Sequence, residues 1–361
     1  MAPHSHRFYC TAEFKVLSSA IVSTIVLTYG SMELLIASDL QGADAEPPCY
    51  HSLLANYTVP AAVLKTEVFG KLLRDGRIKR RKCRRTVVNL LLFHNEVDLL
   101  EIRLQELGRA VDHFVVVESS RNFRMRERRL LLEPLLDTPR FRPFQKKLIY
   151  GRNTDHPDFP DDVEPGVVRV ALHRIFMDAL MTTFTTSLPR IDEDTLVLFT
   201  SADEIPSASV INFLSHHDGL PDVISFRYAK SIYSFSVAHV QRMSTERAAC
   251  TWQFLRDDLF VSLDRLRFAY TRAAEQSTVG TTSQPAGWHC SWCLGLSGVV
   301  DKIASEPDAV DSAVDATFAA RMMKQGRHYN GTLVASGKSR FGLPMFVRDN
   351  RERFESTIIA F

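Results

Sequence analysis

The sequence lacks a strong charge imbalance, a Gly-rich phosphate loop and an internal repeat. Its 44 lysines and arginines nearly balance 42 aspartates and glutamates, which gives a net charge of +2. A nearly neutral chain has no general attraction for nucleic acid. Without a Gly-rich loop, the sequence shows neither a P-loop nor a dinucleotide-binding turn. Nothing in the sequence therefore indicates a nucleic-acid partner.

Cysteine is also scarce, with six in 361 residues, and two of them fall in AGWHCSWC, residues 286–293. A structural zinc site needs four ligands, but His289, Cys290 and Cys293 have no second cysteine pair to complete one. A thioredoxin-like pair is expected at a helix start early in a βαβ unit, whereas this pair comes late in the chain. In an oxidising compartment a disulfide is favoured, either Cys290–Cys293 or one of these with Cys250.

The rest of the composition is that of a folded protein. Apolar residues make up 45% of the chain and charged residues 24%, so it can bury a large core as one large domain or two ordinary ones. Basic residues concentrate in residues 77–85. This run predicts a solvated segment ahead of the first strand, with contact to acidic lipid or phosphate as the alternative.

The N-terminal region contains a long uncharged run at residues 16–32. Extended to residue 36, the run reaches the short end of the ~17–25 residues that span a bilayer. Arg7 and Lys15 precede it and acidic residues follow, so the positive-inside rule places the later chain in the lumen. We predict a cytosolic tail at 1–15 and a transmembrane signal anchor at 16–36. A cleaved signal peptide and a buried helix are the alternatives.

Two further features agree with a lumenal chain. Asn56 and Asn330 each begin an N-glycosylation sequon. Residues 37–85 have no sustained periodicity and are predicted to form a stem. The folded domain is then expected at residues 86–354.

Within that domain the apolar patterns alternate between strand and helix. Continuous apolar runs predict buried strands, and longer runs with an apolar face predict helices. The predicted strands are 85–93, 112–120, 146–151, the start of 194–206, and 222–235; the predicted helices are 96–111, 167–187 and a segment after 209. This order indicates an α/β fold with a mostly parallel sheet.

Polar side chains follow three of the predicted strands. His94, Asn95 and Glu96 follow the first, Glu118 the second, and Asp203 with Glu204 the fourth. Ligands of such sheets bind outside the carboxyl ends of the strands, although each of these residues alone is also explained by capping a turn or a helix. In "TSADEIP" (200–206), alternate acids on one face would hold a divalent cation, but Ser201 stands at the first of the two positions.

Several blocks of this sequence resemble the β-1,4-mannosyl-glycoprotein 4-β-N-acetylglucosaminyltransferase family. The resemblance spans roughly residues 86–354 and is strongest in "GWHCSWC" (287–293). The other blocks, in family order, are "FHNEVDLLEIRLQELGRAVDHFVVVES" (93–119), "ADEIP" (202–206), "AKSIYSF" (229–235) and "GRHYNGT" (326–332).

The resemblance implies a type II Golgi membrane enzyme whose glycosyltransferase domain has a GT-A-like fold. Such an enzyme transfers N-acetylglucosamine from UDP-GlcNAc, with Mn²⁺ and with inversion, to a mannose of N-linked glycans on glycoproteins. Family members carry Asp-x-Asp-Glu-Ile-Pro where this chain begins with Ser201. This difference indicates a weak metal requirement, a changed donor or an inactive homologue.

Site roles follow from these expectations. Asp203 with a cation would hold the diphosphate, and Glu204 is the predicted base, with Glu118 and Asp264 as alternatives. His289 is the second predicted metal ligand, in a stapled loop where Trp288 or Trp292 stacks on a sugar; a packed aromatic loop without a catalytic part is the alternative. The residues predicted to bind the donor are His94, Asn95, Glu96, Glu118, Lys230, Trp288 and His289, with Lys302 as an alternative cation.

Two functions remain open from the sequence. The first is a GlcNAc-transferase acting on glycan mannose. The second is a catalytically inactive lumenal homologue that binds glycans or another transferase. Ser201 favours the second, whereas the retained acids and His289 favour the first.

Overall fold

The structure is a computed structural model that describes residues 58–154, 156–157, 159, 163–269, 277–305 and 315–355. The predicted cytosolic tail, signal anchor and most of the predicted stem lie outside these residues. Among the helices of the described ranges, none has the length and apolar character needed to cross a membrane.

A ten-stranded mixed sheet forms the centre of the fold. The described residues form twelve strands, ten of them in this sheet: β1 (Lys79–Arg80), β2 (Val87–Phe93), β3 (His113–Ser119), β4 (Leu148–Asn153), β5 (Leu196–Phe199), β6 (Glu204–Pro206), β7 (His217–Asp218), β8 (Val223–Ile232), β9 (Ser234–Thr251), β10 (Thr278–Val279), β11 (Gly287–Ser291) and β12 (Ala335–Lys338). The order across the main sheet is β4-β3-β2-β5-β9-β8-β11-β6, with β10 beside β8 and β12 beside β9. β1 and β7 form a separate pair.

The parallel half of the sheet matches the prediction. β4, β3, β2 and β5 are all parallel neighbours. The apolar runs of β2, β3 and β5 are continuous because these strands are covered on both faces, whereas β4 is a half-buried edge strand. Val88 and Leu90 pack on one face with Leu180 and Phe184, while Leu91 packs on the other face with Leu104.

The other half of the sheet is not mostly parallel, and here the prediction is wrong. β9 is antiparallel to both β5 and β8, and β11 is antiparallel to β6. Only Tyr233 separates β8 from β9. Two parallel neighbours need a crossover of about a dozen residues, so a one-residue connection enforces an antiparallel pair.

Helices cover both faces of the sheet. They are α1 (Ala61–Leu64), α2 (Glu67–Arg74), α3 (Val97–Leu107), α4 (Pro165–Ser187), α5 (Ala208–Ser215), α6 (Trp252–Asp257), α7 (Gly295–Ser305), α8 (Ala316–Lys324), α9 (Met345–Asp349) and α10 (Arg351–Phe354). α3 and α4 correspond to the two long predicted helices, and they pack in the clusters on opposite faces. The α/β layering predicted from the sequence is therefore present.

The packed structure begins before residue 86, where the sequence predicted a stem. Val63 of α1 and Phe69 of α2 are fully buried in the same cluster as β2 and α3. The basic run joins the fold as well, because Arg84 forms an ion pair with Asp112 (2.7 Å) and Arg85 with Asp218 (2.8 Å). Two short helices give too few turns for a sustained apolar period, which explains why the sequence pattern missed them.

Candidate functional site

A cavity of about 490 Å³ lies at the carboxyl ends of the parallel strands. β2 contributes Phe93, with His94 and Glu96 directly after it, and β5 contributes Phe199, followed by the turn 201–204. The other polar residues of its wall are Ser119, Arg121, Asn122, Arg128, His173, Glu246, Arg267, His289 and Lys302. The cavity is therefore at the edge that open α/β sheets use for ligands.

Three of the sequence blocks, "ADEIP", "GWHCSWC" and "AKSIYSF", lie on neighbouring, hydrogen-bonded strands beside this cavity. β11 lies between β6 and β8, so that His289 is opposite Glu204 on one side and Lys230 on the other. The main-chain N–H of Cys290 also donates to the carbonyl of Asp203 at 2.9 Å. The close approach depends on Gly287, because a Cβ at this position would lie 2.2 Å from the Ile205 carbonyl oxygen. The Gly-Trp-His segment thus fixes the position of residues 201–204, which we call the acidic turn.

The Cys290–Cys293 disulfide is formed, and Cys250 is a buried free thiol. Alternation along β11 places His289 toward the acidic turn, whereas Trp288 is on the opposite face. There Trp288 packs near Cys290 and Cys293, and its indole N–H donates to the Gly342 carbonyl at 2.6 Å. Trp292 packs in another cluster, with its ring 4.9 Å from that of His328. Neither tryptophan lines the cavity, so the predicted sugar stacking has no support at these positions.

Asp203 and His289 form an ion pair, with Nε2 3.6 Å from Oδ2. Although burial favours the neutral acid, His289 and Lys302 hold the pKa of Asp203 well below its usual range. Burial likewise favours the neutral imidazole, but Asp203 and Glu204 raise the pKa of His289. The hydroxyls of Ser244 and Ser291 lie 2.9 Å from Nδ1 and Nε2. Both ring nitrogens of His289 therefore have protein partners.

Glu204 is almost fully buried, and its two carboxylate oxygens are engaged. Oε2 accepts from the main-chain N–H of Ser201 at 3.1 Å, and Oε1 forms an ion pair with Arg267. The side chain of Arg103 in α3 donates to the main-chain carbonyls of Ser201 (2.8 Å) and Glu204. The acidic turn is thus held by the side chains of Arg103 and Arg267 and by its own hydrogen bond between Ser201 and Glu204.

The residues after β2 have different surroundings. Glu96 accepts from the main-chain N–H groups of His94 and Asn95, at 3.1 and 3.0 Å, and lies 3.6 Å from the ammonium of Lys302. Burial lowers the pKa of His94 to about 4, so its ring is neutral at physiological pH. Among the described residues, Nε2 of His94 has no hydrogen-bond partner. His94 lines the cavity, but this nitrogen itself is buried in the cavity wall.

The other predicted donor-binding residues do not line the cavity. The Asn95 amide donates to the Gly298 carbonyl at 3.1 Å, and the Lys230 ammonium donates to Gln241 at 2.7 Å. Glu118 is fully buried and accepts from the main-chain N–H groups of Leu131 and Leu132, at 2.5 and 3.1 Å. Asn95 and Glu118 therefore support the loops around the cavity, and Lys230 flanks His289.

Sequence reasoning missed three charged residues at this site. Arg103 and Arg267 hold the acidic turn, and Glu246 of β9 lies on the cavity wall. Arg103 had a visible signal, because it is a charge within the apolar stripe of Leu99, Ile102 and Leu107 in α3. Glu246 and Arg267 had none, since their approach to Glu204 depends on long-range strand pairing.

The donor atoms suit a divalent cation. One ligand atom from each of Glu204, Glu246 and His289 lies within 4.8 Å of the others. Carboxylates suit Mn²⁺, and imidazole is a common ligand of transition-metal ions in general. Among the described residues this group contains Glu246 rather than the predicted Asp203, whose carboxylate is beside it and paired with His289.

The sheet, the cavity at its carboxyl edge and the acidic turn on the cavity wall are features expected of a glycosyltransferase, and they form the candidate active site. Comparison with known proteins gives the same class. The chain belongs to glycosyltransferase family 17, whose family model matches residues 71–305.

Curated relatives carry the resemblance noted in the sequence. The chain is 26% identical over 318 residues to the human β-1,4-mannosyl-glycoprotein 4-β-N-acetylglucosaminyltransferase, covering 79% of this chain and 57% of the relative. It is 27% identical over 292 residues to the rat and mouse proteins of the same name, covering 73% of this chain and 52% of each relative. The chain thus spans about half the length of the curated relatives it matches.

Proposed function

We propose that this protein transfers N-acetylglucosamine from UDP-GlcNAc to a mannose of N-linked glycans, in β-1,4 linkage and with inversion. Support comes from the family, from the names of the relatives and from the cavity at the carboxyl edge of the sheet. One observation carries most of the proposal. Glu204 and His289 are register partners on neighbouring strands beside that cavity, so the ADEIP block and the GWHCSWC block form one site.

In this proposal the diphosphate binds at the acidic turn. Mn²⁺ would be held by Glu204, Glu246 and His289, with Asp203 beside them, and would stabilise the negative charge that develops on the departing UDP. His94 and Lys302 lie on the same wall of the cavity, and Lys302 carries an ammonium. These groups are proposed to bind and orient the nucleotide sugar.

The acceptor is proposed to bind in a second cavity of about 500 Å³, which shares part of its lining with the first. Phe123, His173 and Phe268 line both cavities, and Phe268 is 60% exposed. An exposed aromatic ring provides the apolar face of a sugar with a stacking surface. Arg169, Arg174 and Asp264 on this wall can hydrogen-bond sugar hydroxyls.

Asp264 is the proposed general base among the three carboxylates considered from the sequence. Glu118 is buried beneath the site, and both oxygens of Glu204 have partners. The Asp264 side chain is 36% exposed, lines the second cavity and lies 3.5 Å from the His173 imidazole. It can therefore accept a proton from an acceptor hydroxyl, while Asp203 and Glu204 act on the charge of the donor.

The proposed location is the Golgi membrane, in a single-pass type II orientation with a lumenal catalytic domain. The Cys290–Cys293 disulfide agrees with an oxidising compartment. Protease protection of a tagged chain in sealed microsomes tests this placement. Cleavage of a C-terminal tag without detergent would contradict it.

Calorimetric titration of the purified full chain with UDP-GlcNAc tests the function. Wild type, Asp203→Ala and the exposed control Asp222→Ala are compared with and without Mn²⁺. We expect binding in the wild type and the control, and a clear loss in Asp203→Ala. A β-1,4-mannosyl oligosaccharide is then the acceptor for a transfer assay. Absence of donor binding and donor hydrolysis in every condition would instead favour the inactive homologue.

A further inference from the structure

Arg267 lies among the groups that are suited to a divalent cation. Its Nη2 forms an ion pair with Oε1 of Glu204 and lies 3.2 Å from Oε2 of Glu246. Both carboxylates belong to the set of three ligands formed with His289. We propose that Arg267 is a tethered cation in this group and competes with the divalent cation for it.

The competition follows from which oxygen is available. Oε2 of Glu204 accepts a hydrogen bond from the main-chain N–H of Ser201. This leaves Oε1 as the oxygen most accessible to a cation, and Oε1 is the atom paired with Arg267. A metal ion contacts its oxygen ligands at about 2.0–2.6 Å. A guanidinium bridging Glu204 and Glu246 takes up the same space, so metal entry requires the arginine to withdraw.

Main-chain contacts hold Arg267 at this position. The Arg247 guanidinium donates to the carbonyl of Arg267 at 2.7 Å, and Arg267 donates back to the carbonyl of Arg247 at 3.3 Å. Arg247 is the neighbour of Glu246 in β9, so one strand positions both the carboxylate and its arginine partner. The Arg267 side chain is only 12% exposed but lines the cavity. The cavity is the space into which it would withdraw when a divalent cation enters.

The charges around the turn are consistent with an internal cation. Asp203, Glu204 and Glu246 are the acids around the turn, and Ser201 contributes no carboxylate. Arg267 and His289 contact these acids directly. Despite burial, Glu204 and Glu246 raise the pKa of Arg267, so the arginine keeps its charge. The chain's own side chains thus offset most of the negative charge of these three acids.

Direct metal binding tests this proposal. The full chain is titrated with Mn²⁺ alone, and free Mn²⁺ is followed by its electron paramagnetic resonance signal. Wild type is compared with Arg267→Gln, Arg267→Lys and Arg256→Gln, an arginine that pairs with Glu193 at 3.0 Å outside the cavity. Arg267→Gln removes a positive charge that lies next to two metal ligands, Glu204 and Glu246, and should tighten Mn²⁺ binding at least about tenfold. Arg267→Lys and Arg256→Gln should stay near wild type.

Two outcomes would overturn the proposal. The first is unchanged or weaker Mn²⁺ binding in a folded Arg267→Gln protein. The second is an equal gain in the Gln and Lys variants, because the effect would then come from shape and not from charge. If Arg267→Gln does not fold, Glu246→Gln in the wild-type background takes its place. It should weaken Mn²⁺ binding, and unchanged or tighter binding would show that the metal does not use this group.

The inference deepens the proposed function but can fail separately from it. Mn²⁺ binding is measured without donor or acceptor, so an inactive homologue would give the same result as an enzyme. Hydrolysis of UDP-GlcNAc by the same wild-type sample then reports on the transferase activity alone.

Discussion

The guanidinium of Arg103 donates a hydrogen bond to the main-chain carbonyl of Glu204 inside the protein. Arg103 is fully buried, and it also donates to Asn89 Oδ1 at 3.0 Å and to Thr200 Oγ1 at 2.6 Å. Burial lowers the pKa of Arg103 to about 10, so it remains charged at neutral pH. A single side chain of α3 thus connects the middle of β2, the end of β5 and the acidic turn.

Arg103→Lys should lower the free energy of unfolding by about 2–4 kcal/mol. An ammonium lacks the planar fork of donors, and the unmatched carbonyls would stay buried. Urea unfolding measures the change, with the exposed Arg109→Lys as the control beyond the end of the same helix. Equal stability of the two variants would contradict a role for Arg103 in holding the turn.

Ser201→Asp should tighten Mn²⁺ binding severalfold, because it places another carboxylate on the cavity wall near Asp203 and Glu204. The matched control is Ser201→Asn, which has nearly the same shape but no charge. Titration with Mn²⁺ alone gives the affinities. If Asp and Asn behave alike, position 201 is too far from the cation to matter.

Phe268→Ala should raise the KM for a β-1,4-mannosyl oligosaccharide about five- to tenfold, through the loss of about 1 kcal/mol of stacking. The KM for UDP-GlcNAc should rise less, because Phe268 borders both cavities but the groups proposed to hold the donor are the polar residues around the acidic turn. Phe260→Ala is the matched control, because Phe260 is 69% exposed and does not line either cavity. A rise in the donor KM alone would place Phe268 on the donor side.

His94→Gln should make the protein less sensitive to acid. Burial lowers the pKa of His94 in the folded state to about 4, below its ordinary value of 6.5. As the pH falls from about 6.5 to about 4, the unfolded chain binds a proton at His94 that the folded chain does not, so the free energy of unfolding decreases. Between pH 7 and 5 the variant should lose on the order of 1–2 kcal/mol less than wild type. Parallel curves for the two proteins from urea unfolding would contradict this.

The parts of the fold that were predictable from sequence are those with local signals. The run from Val87 to Phe93 predicted a strand covered on both faces, and its continuity alone indicated a parallel neighbour. The acids at residues 203–204 were found because a polar cluster follows directly after a buried strand. In these cases the pattern and the structural feature occupy the same few residues.

The parts that were missed depend on pairing between distant segments. Nothing near Glu246 shows that β9 runs on from the tight turn at Tyr233 and passes beside Glu204 and His289. The orientation of residues 287–291 could not be predicted for the same reason. Only the register of β11 against β6 decides that His289 and not Trp288 faces the site. Register is a property of two strands together, and one strand's sequence does not contain it.

Gly287 has a consequence for how variation in this protein would be interpreted. Gly287 allows β11 to approach β6 because it lacks a Cβ, and any Cβ at this position would clash with the carbonyl oxygen of Ile205. In a scan of every substitution scored for catalysis, this position would be among the least tolerant although it has no side chain to touch a substrate. The damage would spread from the strand to the acids two and three residues before Pro206, so that Gly287→Ala would be mistaken for an active-site lesion.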